Sequence, residues 1–195
     1  NIGNAILRPE YSNYLEGGLH FYQRVVTVKG SYFYRHVSDL IDWVRANDTL
    51  PWQPDNVHVL NTSGLTMQIC YAVSEQLALP DDHAINLNAS YTYLDQAIRS
   101  SSERISKYAV DGLRHQVVIR VNSKLFKKFE VNLTGRYQQR INGNDYTILD
   151  TRLGYRTGRF LIFSDINNLL DTQYQEIGTV QMPGRWVTLG LRATL

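Results

Sequence analysis

The sequence predicts an all-β fold: an antiparallel up-and-down transmembrane β-barrel segment of about nine strands. Three observations predict it. The chain's last stretch, Arg185–Leu195 (RWVTLGLRATL), alternates strictly, with Val187, Leu189, Leu191, Ala193 and Leu195 on one face and Trp186, Thr188, Gly190, Arg192 and Thr194 on the other. That is the period of a strand with one apolar face, and it runs to the last residue, where a soluble domain usually frays in polar residues. The connections alternate short and long along the chain. Aromatic side chains on the apolar faces cluster at two heights.

The strands follow one another with no convincing helix between them. Asn13–Tyr22 puts Glu16 and His20 on its polar face and Phe21 on its apolar one. Val25–Trp43 carries Lys29 on the polar side and Tyr32 and Tyr34 on the other. Val57–Val73 brings Tyr71, and Ala84–Leu94 brings Tyr91 and Tyr93, to apolar faces. Leu113–Leu125 offers Arg114 and Arg120 as polar-face residues. Phe129–Ile141 is the clearest strand: Phe129, Val131, Leu133, Gly135 and Tyr137 alternate with Glu130, Asn132, Thr134 and Arg136. Tyr146–Arg156 adds Asp150 and Arg152 to the polar face and Tyr155 to the apolar one; Phe160–Asn167 and Trp186–Leu195 complete the series.

Gln23–Arg24, Phe126–Lys128 and Thr157–Arg159 read as tight turns, and Ser74–His83 is somewhat longer. Between them lie Val44–Asn56, Asp95–Gly112, the short Asn142–Asp145 and Leu169–Arg185. In an up-and-down sheet every second connection falls at the same end, so one end carries mostly short turns and the other mostly long loops, the periplasmic and extracellular asymmetry of an outer-membrane barrel. With the short-turn end as the bottom, Phe21, Tyr71, Phe129 and Tyr155 lie low, and Tyr32, Tyr34, Tyr91, Tyr93 and Tyr137 lie high. Phe129 and Tyr137 are separated by roughly 20 Å of height at ~3.3 Å per residue and a tilt of ~40°, close to the ~25 Å apolar band between aromatic girdles.

Composition narrows the function classes. The chain has 195 residues and a formal net charge of +2, which argues against a nucleic-acid partner or an acidic substrate. Its single cysteine, Cys70, excludes an internal disulfide framework and a multi-cysteine metal site. No apolar run reaches the roughly 18 residues of a membrane-spanning helix. No G-x-S-x-G, H-E-x-x-H or P-loop is present, so no catalytic, cofactor or metal site is expected. Asp81-Asp82-His83 falls in a short-turn-side connection, where polar turn residues belong. The opening residues, NIGNAILRPEYS, read as the middle of a longer polypeptide.

Several segments resemble one family. Leu7-Arg-Pro-Glu10 with Ser12-Asn-Tyr14 and Glu16-Gly17 resembles the L-x-P-E-x-S-x-N-Y-E-x-G segment of TonB-dependent receptor barrels, and Ser31–Trp43 resembles the strand and loop after it. Asn167–Tyr174 contains a close relative of the N-L-F-D-x-x-Y motif, with leucine where phenylalanine is usual, and Pro183-Gly-Arg185 matches the P-G-R that opens the final strand. The chain ends in Leu195, where the family usually has phenylalanine. The resemblance covers essentially the whole chain as the C-terminal part of the barrel. It implies a 22-stranded barrel whose lumen is filled by a plug domain, with the plug and the N-terminal strands absent from residues 1–195. It also implies residence in the bacterial outer membrane, in contact with its lipid, and uptake of an extracellular small molecule such as a siderophore or cobalamin, driven by TonB through the plug. A small complete barrel of about ten strands, acting as an enzyme or adhesin, is the alternative; a soluble ligand-binding barrel is the third reading.

On this reading Glu16, Lys29, Arg120, Arg136, Asp150 and Arg152 face the plug and lumen, alongside His20, Arg114 and Glu130. A three-residue loop at Gly143–Asp145 would pair Gln138 with Asp150 and Arg136 with Arg152, leaving Asp150 diagonal to Arg136. Substrate capture begins on the long loops; there Trp43, Arg45, Trp52, His58, Arg99 and Arg104, with Lys107, are the candidates for holding an anionic or ring-bearing ligand.

Overall fold

The computed structural model describes residues 3–100, 105–106, 112–141, 143–176 and 180–194. Ten strands form one antiparallel sheet: β1 (Tyr11–Gln23), β2 (Val26–Arg45), β3 (Gln53–Ala72), β4 (Ala84–Ser100), β5 (Ile105–Ser106), β6 (Leu113–Leu125), β7 (Phe129–Arg140), β8 (Asp145–Thr157), β9 (Phe160–Asn167) and β10 (Trp186–Ala193). The order is β1-β2-β3-β4-β6-β7-β8-β9-β10, an open meander with β1 and β10 at its two ends. The tenth strand is the two-residue β5, which pairs with β2 off the main path.

The sheet extends further toward the long-loop end than hydrophobic alternation alone indicates. β4 continues through Asp95 to Ser100, still paired with β3 down to His58↔Ser100. β3 starts at Gln53, so the β2–β3 loop shrinks to residues 46–52. These extensions are polar. They lie beyond the apolar band, and backbone pairing with the neighbouring strand satisfies their N–H and C=O groups. The first turn falls at residues 24 and 25, since Gln23 pairs with Val26. The β3–β4 connection contains a single helical turn, α1 (Val73–Gln76), in a segment expected to be plain loop.

Every strand has one apolar and one polar face, and the register carries each face across the sheet. Leu19, Gly30, Met67, Tyr91, Val117 and Tyr137 lie in one cross-strand row, and Val131, Leu153, Ser164 and Leu189 in another. This face is bare: Leu19 is 83% and Leu189 80% exposed, and Leu15, Phe21, Ile119, Ile162 and Leu191 are exposed beside them. The total accessible surface is 12969 Å², against roughly 9,500 Å² for a soluble monomer of this mass. The excess is the signature of a wall whose apolar face needs a non-aqueous neighbour. Buried apolar side chains are few among the described residues, and Val37, Val44 and Ile148 are the most enclosed.

Two glycines of the polar face are covered by aromatic rings. A Cβ on Gly64 would run into the Phe33 ring, and one on Gly190 would run into that of Phe163. Each ring fills the space over the neighbouring strand's glycine.

The segment before β1 is tied to a β-bulge. Between Val37 and Ile41 the β2–β3 register shifts twice, and Asp39 adopts φ of 55°. Glu10 Oε1 accepts the Ile41 N–H at 2.6 Å, and Arg8 pairs with Asp39 at 2.6 Å. Asn56 donates to the carbonyls of Arg8 (2.9 Å) and Asp39 (2.7 Å). The Pro9-Glu10 motif therefore acts structurally, its carboxylate taking up a backbone donor at the bulge.

Candidate functional site

The polar face holds all six residues expected to line a lumen. Stepping across the sheet, His20 pairs with Lys29, Lys29 with Gln68, Gln68 with Ser90, Ser90 with Val118, Val118 with Arg136 and Arg136 with Ile148. Glu16 lies on this face of β1, Arg120 faces Thr134 and thence Asp150, and Arg152 sits opposite Asn132. Grooves open on the face among the described residues. One of about 620 Å³ is lined by Glu16, His20, Lys29, Ser31, Thr66 and Gln68, among others. A smaller one is lined by Asn132, Thr134, Asp150, Arg152, Asp165 and Asn167.

The β7–β8 register differs from expectation. Arg140 N–H donates to Asn144 O, so the hairpin closes at that pair, and Gln138 pairs with Tyr146, Arg136 with Ile148 and Asn132 with Arg152. The pairing is four residues away from Gln138–Asp150 and Arg136–Arg152. An even slip keeps every side chain on its face but changes its partners. Asp150 remains diagonal to Arg136, yet its carboxylate accepts the Asn168 N–H at 2.8 Å. Arg152 turns to β9, where Asp165 takes it through two bonds of 2.5 and 2.6 Å. Its guanidinium also lies 4.9 Å from the Phe163 ring.

Arg136 finds its carboxylate on the β9–β10 connection. Its Nη2 lies 3.1 Å from Glu176 Oε1, both side chains being about one-third exposed (30% and 29%). Arg140 donates to the Glu176 carbonyl. Tyr174 packs on Tyr146 with ring centroids 4.8 Å apart, and the buried Tyr146 hydroxyl donates to Gln138 Oε1. Burial, and then the Glu176 charge, pushes the Tyr174 phenol above the usual tyrosine range. The stem of this segment is held by a backbone bond from Met182 N to Tyr174 O (3.0 Å) and a bridge between Gln175 and Gln181. Tyr174 is visible in the motif. Glu176 has no signal beyond lying in a long loop, because its role depends on a partner 40 residues earlier.

The root of the same connection is an asparagine cap. Asn168, with φ of 50°, is 3% exposed; its Oδ1 accepts Thr172 N–H (2.9 Å) and its amide donates to Thr172 O (2.9 Å). Asn tolerates this left-handed backbone and bonds locally.

Of the loop candidates, the structure brings Arg45 and Trp52 together. The Arg45 guanidinium stands 4.4 Å from the Trp52 ring and pairs with Asp48 across the loop. β5 holds this corner, with Ile105 opposite Arg45 and Ser106 opposite Val44. Trp43 stands two positions before Arg45 on β2, opposite Pro54, and the Asp42 carboxylate accepts its N–H at 2.7 Å. The His58 backbone is in β3, opposite Leu40 and Ser100; Arg99 is an exposed residue of β4, opposite Val59. Trp43, Arg45, His58 and Arg99 thus all belong to strands, and of the described candidates Trp52 is the one in a loop. Arg104 and Lys107 lie outside the described residues. At the other end, Asp82 and His83 form a pair at 2.7 Å, with the His83 ring against Phe126 (4.6 Å). Lys127 N–H donates to Asp82 O, which ties two neighbouring turns.

The geometry is thus a strand wall with one apolar face, one charged and grooved face, and the Arg45–Trp52 pair at the long-loop end. Comparison with known proteins gives the same picture. Residues 1–169 match the family model described as TonB dependent receptor-like, beta-barrel. The vitamin B12 transporter BtuB of Vibrio vulnificus (strain YJ016) is 24% identical over 181 residues, covering 89% of this chain and 27% of that protein. Among solved structures, the copper transporter OprC superposes with a TM-score of 0.73 at 18% identity, over 96% of this chain and 32% of its own. The FrpB iron transporter from Neisseria meningitidis (F3-3 variant) gives 0.72 at 14%, over 95% and 31%. The siderophore receptor PirA from Acinetobacter baumannii gives 0.68 at 15%, over 95% and 32%. The chain therefore spans under a third of the length of these relatives.

Proposed function

Because this chain belongs to the TonB-dependent receptor β-barrel family, we propose that it is the C-terminal segment of an outer-membrane active-transport receptor. That receptor takes up a siderophore, cobalamin or a similarly scarce nutrient. The family's barrels reside in the outer membrane, and the relatives named above are transporters and receptors. The observation that carries the reading is the two-faced sheet: an exposed apolar face on one side, and on the other Glu16, Lys29, Arg120, Arg136, Asp150 and Arg152, with one groove beside Glu16 and Lys29 and another beside Asp150 and Arg152. In this reading the apolar face meets outer-membrane lipid. The polar face meets lumen water and a plug domain carried by the rest of the protein. Such a wall has no use for a catalytic residue; the work is ligand capture at the long-loop end, followed by movement of the plug when TonB pulls on it.

Capture falls to Trp43, Arg45 and Trp52, with Arg99 and Arg104 as further candidates. A guanidinium stacked on an indole offers an incoming ring or anion both a flat apolar surface and a positive charge. The alternative of a small complete barrel requires β1 to pair with β10. Among the described residues the sheet order contains no such pairing, which speaks against it.

The test is uptake of the labelled nutrient by cells carrying the full-length receptor, with and without TonB. Uptake should vanish without TonB while surface binding persists. Uptake at the normal rate without TonB would make the protein a passive pore and end the importer reading.

A further inference from the structure

We propose that Arg136 and Arg140, with Tyr146 and Tyr174 beside them, form a carboxylate-binding subsite, and that Glu176 occupies it when no ligand is bound. The inference rests on the importer reading for the direction of approach, from the long-loop side, and deepens it by naming a ligand class. Arg136 holds the Glu176 carboxylate at 3.1 Å, and Arg140 holds the same residue's carbonyl. Two guanidinium groups from one strand therefore converge on one residue of the β9–β10 connection. The half-buried Tyr174 lies against the buried Tyr146, whose hydroxyl is committed to Gln138, so the floor is an aromatic pair anchored through Tyr146.

The arrangement is suited to exchange. Glu176 sits on a segment outside the strands, whereas Arg136 and Arg140 are on β7, which is paired with β6 and β8. A part-exposed ion pair contributes little net stability. A ligand carboxylate can thus replace that of Glu176 on Arg136, with Arg140 close by, and guanidinium suits carboxylate by shape as well as charge. Displacement would free the connection from the polar face. The ligand class is then a molecule bearing at least one exposed carboxylate, and the internal glutamate sets a threshold that weak anions do not cross.

The test uses the full-length receptor in nanodiscs, with its native cysteines, Cys70 among them, replaced by serine, spin-labelled at Thr147→Cys on β8 and Gln181→Cys on the connection. Glutarate, which mimics the glutamate side chain, is the probe, and sodium chloride at equal ionic strength is the control. In the parent, glutarate should shift the inter-label distance distribution and chloride should not. Glu176→Gln should show the shifted distribution without ligand. Its remaining unshifted population should respond at roughly fivefold lower glutarate, since no internal carboxylate competes. Arg136→Gln should abolish the glutarate response while the barrel keeps its heat-modifiable mobility. Identical distributions for parent and Glu176→Gln, no glutarate response in either, or equal action by chloride would each overturn the subsite. TonB-dependent uptake with a glutarate-indifferent connection would leave the importer reading standing and remove only the subsite. A glutarate-responsive connection in a receptor whose uptake ignores TonB would do the reverse.

Discussion

The Asp171 carboxylate accepts the Arg185 backbone N–H at 2.7 Å, closing the β9–β10 connection at its base. The same oxygen lies 2.7 Å from where a Cβ on Gly184 would stand. Two sequence motifs, one containing Asp171 and the other ending in Gly184-Arg185, are therefore two halves of one contact. A side chain at position 184 would push the acceptor away from its donor.

Asp171→Ala should destabilise the barrel by about 1 kcal/mol, the net worth of one exposed hydrogen bond. Asp171→Asn, which keeps an acceptor oxygen, should cost less. Gly184→Ala should destabilise the parent but cost clearly less in the Asp171→Ala background, because the clash partner is gone. Urea unfolding of the full-length barrel in lipid vesicles reads all four corners of that cycle; strict additivity would show that the contact carries no energy.

Charge on the two faces should behave oppositely. Leu133→Arg puts a guanidinium on the apolar face opposite Val121 and Thr151 and should cost about 2–4 kcal/mol if it lies near mid-membrane. Asn132→Arg, one residue away on the polar face, should cost under about 1 kcal/mol. Equal penalties in a vesicle refolding assay would mean that the apolar face does not meet lipid.

Glu10 should matter through the bulge. Glu10→Ala removes the acceptor of the Ile41 N–H and should destabilise by about 1 kcal/mol, with Glu10→Gln nearer to neutral. Amide exchange at Ile41 should quicken in the alanine variant. Unchanged protection there would assign the motif some other role.

Ring replacement at the long-loop end should weaken capture without affecting assembly. Trp52→Ala removes the ring beneath Arg45 and should lower ligand affinity about fivefold, in line with ~1 kcal/mol for a cation–π pair. Trp43→Ala should weaken binding in the same direction. Asp82→Asn with His83→Gln, at the opposite end, should leave binding unchanged. Binding to whole cells, read beside heat-modifiable mobility, separates lost capture from lost barrel.

Phe163 and Gly190 offer a packing test on the last strand pair. Gly190→Val must displace the ring that occupies the space a Cβ would need and should cost about 1–3 kcal/mol. Phe163→Ala should relieve most of that penalty in the double variant. A Gly190→Val barrel as stable as the parent would show that the ring moves aside freely.

The sequence by itself determined which residues share a face and where most strands run. Those properties are local: side chains alternate on any extended backbone, so Val131 and Leu133 part from Asn132 and Arg136 whatever lies beside them. It also carried the family motifs, although not their purpose. Tertiary structure decided register and therefore partners. Arg152 met Asp165 because the β8–β9 register sets the two directly opposite, and Arg136 lost Arg152 as its neighbour because the β7–β8 hairpin closed at Arg140–Asn144, a slip of four residues that is invisible to a pattern of period two. The polar extension of β4 to Ser100 and the pairing of β5 with β2 depended on a neighbouring backbone to bond with, not on any apolar signal. Glu176 was the least legible residue, since its meaning is a contact with Arg136 across 40 residues of chain, and nothing in its own surroundings requires it.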